Sequence, residues 1–150
     1  GRVGVRGGGR VRWPDAMLRK RIARTSRPRK QRKTPRARLR RMTDKLWSGI
    51  VRAAGKCRVC GSSDRLQAAH GFSRRYLGTR FDTRNGWCLC AGCHVSMTHD
   101  PIRWDELMRA DLGDELYAHL REKALKRSVA DYEAILTELQ LVAKLLQLET

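Results

Sequence analysis

The chain has 150 residues, with 33 Lys and Arg against 15 Asp and Glu and a formal net charge of +18. One domain is the expectation at that length, and the charge points to a polyanionic partner. No apolar run approaches the ~20 residues that span a bilayer and no apolar leader opens the sequence, so a membrane role is set aside and the five cysteines are expected in a reducing, cytoplasmic setting.

The charge is concentrated at the start. Residues 1–45 carry 18 Lys and Arg against Asp15 and Asp44, a net +16, whereas residues 46–150 carry 15 against 13, a net +2. Such a segment buries too little apolar surface to offset its ordering entropy. Residues 1–42 are therefore read as a basic, largely disordered arm, with one short helical patch from Trp13-Pro14 through Met17, Leu18 and Ile22 to Arg24. Phosphates bind Lys and Arg with release of counterions and little sequence preference, so DNA is the expected partner, met by Arg29, Lys30, Arg32 and Lys33 among others. Composition alone equally admits RNA. The apolar face of the patch is too short for a membrane-surface helix.

Globular patterning begins at Thr43. That residue is placed to cap a helix running to Ala54, with Gly55 as its stop and Leu46, Trp47, Ile50, Val51 and Ala54 on one face. Two CxxC pairs follow, Cys57 with Cys60 and Cys90 with Cys93. Two such pairs flanking a compact segment fit a tetrahedral Cys₄ zinc site, because each CxxC turn lets two thiolates converge on one ion. Cys88, between Trp87 and Leu89, reads as a core strand residue and is the competing ligand.

Between the pairs and directly after the second stand three residues with chemistry. His70 closes a strand that includes Leu66 and Ala68; Asn85 opens the next strand; His94 follows Cys93 on a helix that starts inside the second zinc knuckle. An imidazole titrating near neutrality suits a general base, and a second one suits a metal ligand. The intervening loop supplies Arg74, Arg75, Arg80 and Arg84, interleaved with Phe72, Tyr76 and Phe81, and planar guanidinium donors match phosphate oxygens.

At these residues the sequence resembles the zinc-ribbon form of the HNH endonucleases, a ββα-metal family common among bacteriophage proteins, over roughly residues 44 to 101. The resemblance implies that His70 is the general base, Asn85 a structural tether and His94 a ligand to a catalytic Mg²⁺ or Mn²⁺. The family often carries a further ligand immediately before the base, where this chain has Ala69, and another one helical turn after the last His, where it has Thr98. His99 reaches the same ion only if the helix unwinds there. His119 is expected on the surface of a separate helix.

Beyond the site, Asp100 and Pro101 are an N-cap and N1 pair for a helix stopped by Gly113, with Trp104, Leu107, Met108 and Leu112 inward. A helix from about Asp114 to Arg127 and another from about Ser128 complete the chain. Residues 104–150 hold 6 bases and 10 acids, so this part is not expected on DNA. The last helix is apolar around much of its girth, which serves either the domain's own core or a dimer.

These readings combine into an α+β protein: a basic arm at 1–42, an HNH zinc-ribbon core at 43–101 and an acidic helical region at 102–150. The expected activity is metal-dependent hydrolysis of DNA phosphodiester bonds, in recombination or on branched DNA. The competing reading is a zinc-stabilised protein that binds DNA without cutting it.

Overall fold

A computed structural model describes residues 34–148, so the expected helical patch and Arg29, Lys30, Arg32 and Lys33 lie outside the described residues. The described chain is α+β, with five α-helices and one two-stranded sheet.

The first helix, α1, spans Pro35–Arg52 and so crosses the 42/43 boundary expected from composition. Thr34 caps it, in extended conformation, its side-chain oxygen accepting from the Ala37 N–H, and Pro35 takes the first turn where its missing donor costs nothing. Thr43, expected as the cap, is instead fully buried in mid-helix and donates its hydroxyl to the Leu39 carbonyl at 2.9 Å. The arginine-rich turns before it are good helix formers, and nothing between Pro35 and Thr43 breaks the helix. At the far end Gly55 adopts φ 70°, closing the turn that leads to the first cysteine pair.

Strand β1 (Leu66–His70) pairs antiparallel with β2 (Gly86–Cys90), Ala68 opposite Cys88 and His70 opposite Gly86. Strand alternation divides the sheet between two cores. Leu66, Ala68 and Cys88 face α1, where Trp47, Ile50, Val51 and Phe81 pack with Tyr132, Leu139 and Ala143. Ala69, Trp87 and Leu89 face the other way, against Cys57, Met97, Met108 and Tyr117. Each large apolar side chain fully buried in these cores contributes roughly 1.5–3 kcal/mol.

Four helices follow the sheet: α2 (Ala91–His99), α3 (Pro101–Leu112), α4 (Asp114–Leu125) and α5 (Tyr132–Leu145). Asp100 caps α3 by accepting from the Arg103 N–H, and Gly113, at φ 74°, turns the chain between α3 and α4. The last helix begins at Tyr132 rather than near Ser128, because Asp131 is the cap and accepts from both Glu133 and Ala134 N–H. Helix α5 packs along α1, covering the first core with Tyr132, Leu139 and Ala143, while Leu141 and Leu145 stay exposed.

A four-cysteine group and a histidine-bearing loop

The two CxxC turns meet at one end of the sheet. Cys57 follows α1 and its Gly55 turn; Cys90 ends β2 and caps α2, its sulfur receiving the Cys93 N–H. The ligand sulfurs of Cys57, Cys60, Cys90 and Cys93 all lie within 4.8 Å of one another, and these four could hold a metal ion. All five cysteines are free thiols. The Cys60 and Cys90 sulfurs are 3.7 Å apart. That is far beyond a disulfide bond of about 2.05 Å, and it matches the sulfur–sulfur edge of about 3.8 Å in a tetrahedron with 2.3 Å zinc–sulfur bonds. Cys88 stands outside the group, buried in the α1-facing core.

The thiols carry the marks of crowding. Burial would raise Cys57, but N–H groups of Cys90, Cys60 and Val59 point at its sulfur and bring it to about 6. Cys93 is pushed up to about 12, first by burial and then by its three sulfur neighbours. Negative charge on one sulfur thus opposes ionisation of the next, and a bound dication relieves that repulsion.

His70 ends β1 and lies on the α1 side, its ring stacked on Trp47 with centroids 4.0 Å apart and planes 15° from parallel. Its Nε2 is 3.0 Å from the Arg80 carbonyl oxygen, so in the neutral ring Nε2 carries the proton and Nδ1 keeps its lone pair. Burial lowers the pKa of His70 below 6.5; the Arg80 carbonyl and Asp44 pull upward, and the Arg80 and Arg74 charges add to the lowering. The imidazole is therefore neutral at neutral pH, the form a general base requires.

The loop after His70 is fixed from inside by Asn85, which is 1% exposed. Its side chain accepts from the Phe72 N–H at 2.7 Å and donates to the carbonyls of Phe72 and Thr79, both at 3.0 Å. It also borders Gly71, where an added Cβ would lie 2.7 Å from the Met108 sulfur and 3.0 Å from Asn85 Oδ1. The turn directly after His70 thus admits no side chain without displacement.

The four loop arginines divide into two kinds. Arg80 donates through Nε and Nη2 to Asp44 of α1, at 2.8–3.1 Å, and through Nη1 to the Arg74 carbonyl. Arg84 donates to Asp82 through Nε and Nη2, at 2.9 and 2.8 Å. Both guanidinium groups are committed within the fold, which leaves Arg74 and Arg75, exposed at the loop's start, as the loop arginines outside any ion pair among the described residues. Asp82 also receives Lys123 of α4 at 2.9 Å. Burial would raise its carboxyl, but hydrogen bonds from Arg84 and Lys123 outweigh that and hold it at about 2.

His94 lies on the opposite side of β1 from His70 and makes a 2.7 Å hydrogen bond from Nδ1 to Gln67 Oε1. Helix α2 continues through His99, and residues five apart on a helix are turned about 140° from one another, so the geometry does not bring His99 to His94. Ala69, on the same strand face as Gln67, is 3% exposed within an apolar cluster. Among the described residues the four cysteines are the one group of three or more His, Cys, Asp or Glu side chains close enough to share an ion. His119 is exposed on α4.

Four residues that the sequence analysis did not assign to the site shape it: Trp47 under His70, Asp44 holding Arg80, Asp82 tying the loop to α4, and Gln67 on His94. Trp47 and Asp44 stand three residues apart on α1, a spacing visible in the sequence, but their partners are 23 and 36 residues away. No protein-family model, curated protein or solved structure matches the chain.

Proposed function

We propose that this protein is a zinc-stapled HNH-type endonuclease that hydrolyses DNA phosphodiester bonds. The observation that carries the reading is His70: a half-buried imidazole at the end of β1, its pKa lowered, its Nε2 on the Arg80 carbonyl and its loop held by Asn85. It belongs to a strand–strand–helix unit in which His94 rises from α2, the order implied by the family resemblance.

Zinc is the ion that suits four thiolates at this spacing, and its role is structural, fixing β2 and the start of α2. His70 takes a proton from water at Nδ1; the water oxygen bonds to phosphorus as the bond to the 3′ oxygen breaks, the 3′ oxygen takes up a proton from solvent water, and the products are a 5′-phosphate and a 3′-hydroxyl. Arg74 and Arg75 hold neighbouring phosphates. His94 is the residue that would hold a catalytic Mg²⁺ or Mn²⁺, and the ion would supply charge neutralisation at the phosphate; such hard ions prefer carboxylate oxygens, which an imidazole does not provide. Gln67 fixes which His94 nitrogen faces that ion.

Two observations favour the non-catalytic alternative: His94 bonds Gln67, so it stands on the face of β1 opposite His70, and Ala69 stands where a further ligand would. Ala69 is buried in an apolar cluster, and among the described residues His94 belongs to no group of three or more His, Cys, Asp or Glu close enough to share an ion. Cleavage assays on linear, nicked, flapped and four-way DNA, with Mg²⁺ or Mn²⁺, decide between the two. Cutting that is strongest on flaps or junctions supports an enzyme of recombining, phage-type DNA. No cutting of any substrate with either metal leaves a zinc-stabilised DNA-binding protein.

A further inference from the structure

Helix α1 carries six Lys and Arg, at positions 36, 38, 40, 41, 45 and 52, and one acid, Asp44. At 100° per residue, Arg38, Arg41, Lys45 and Arg52 fall within about 60° of one another around the axis, and they span about 21 Å along it. All four are exposed. The buried face of the helix, with Thr43, Trp47 and Ile50, lies on the other side. Arg38, Lys45 and Arg52 enter no ion pair among the described residues, and the one nearby carboxylate on the helix, Asp44, is already occupied by two nitrogens of Arg80. Arg36 is diverted from this row, its guanidinium lying over the Tyr132 ring at 5.1 Å.

From this placement we infer that α1 is a rigid phosphate track: the Arg38–Arg41–Lys45–Arg52 row lies along a duplex backbone and leads it toward His70. A straight row of about 21 Å matches some six base pairs at 3.4 Å each, with cations held in register by a helix that is itself anchored in the core. Around the axis, Asp44 stands between this row and Trp47, on which His70 is stacked, so the track borders the proposed catalytic loop. Arg74 and Arg75 are exposed at the start of the same loop. In the sequence, the track begins where the most basic stretch ends, residues 1–33 carrying 13 Lys and Arg against Asp15. The inference rests on the DNA reading for its partner class but not on cleavage.

The test uses the full chain, a 20-base-pair duplex and no divalent metal. Affinity is measured at several salt concentrations for the wild type, for the triple variant Arg38→Gln, Lys45→Gln, Arg52→Gln, and for a control, Arg103→Gln, Arg121→Gln, Arg127→Gln, that removes the same charge from α3, α4 and the segment that follows. The track triple is expected to flatten the slope of log affinity against log salt by about two to three, the control by less than about one. Arg38→Lys with Arg52→Lys should keep the wild-type slope. Equal slopes for both triples, or a slope lost in the Lys variant, overturn the track. Should the triple fail to fold, Lys45→Gln alone must flatten the slope by about 0.9. Track-dependent binding without cleavage upholds the inference and defeats the nuclease; a wild type that does not bind duplex at low salt defeats both.

Discussion

Asn85 does more for the site than any other single side chain while touching no substrate. Its three hydrogen bonds satisfy backbone groups on both sides of the loop, at Phe72 and at Thr79, in a place with no access for water. Asn85→Ala leaves those groups unpaired, and each buried unpaired group costs about 1–3 kcal/mol, so the variant should lose at least about 2 kcal/mol in denaturant unfolding. A loss below about 0.5 kcal/mol would show that the loop does not depend on this side chain. Asp82 gives a pH signature. Its carboxyl is lowered from 3.8 to about 2, so the stability it contributes is complete above pH 3.8 and is lost as pH falls toward 2; the linked amount is about 2 kcal/mol. Asp82→Asn should remove that part of the acid sensitivity in melts between pH 2 and 5. His70 acts in a higher window: its pKa is lowered, so the unfolded chain takes up the proton first, and stability falls as pH drops below 6.5. His70→Phe, which keeps a ring on Trp47, should flatten the stability profile below that point.

At the scale of elements, the cysteine turns determine where α2 begins and therefore where His94 stands. Cys60→Ser with Cys93→Ser should abolish zinc content and unfold the β2–α2 junction, since a structural site contributes its binding energy to folding. Cys88→Ser should leave the zinc content unchanged, because Cys88 lies on the other face of the sheet. Elemental analysis beside circular dichroism reads both. The same elements show how far local sequence carries. Paired CxxC turns, the Asp100-Pro101 cap and the apolar run Trp87-Cys88-Leu89 are local patterns, and each predicted its element. The start of α1 was missed: Thr43 reads as the cap and the arginine run before it as unstructured on charge alone, whereas Thr34 and Pro35 open the helix. The clamp that orients His70 was not legible. Asp44 and Arg80 are 36 residues apart, and nothing local distinguishes Arg80, a structural clamp, from Arg74, a phosphate contact in the proposed function.

At the scale of the whole molecule, charge and chemistry are laid out in order along the described chain: a basic helix, a loop with a neutral histidine, a cysteine-fixed helix, and an acidic run of helices that covers both cores. The account depends most on His70 acting as a base. The most direct measurement compares wild type and His70→Ala on the DNA structure the wild type cuts best, with metal-free DNA affinity and zinc content measured on the same preparations. Cleavage is expected to fall by at least about 100-fold, the low end for a lost general base, while affinity and zinc content stay within about twofold. Cleavage by His70→Ala at the wild-type rate, with binding intact, would contradict the account.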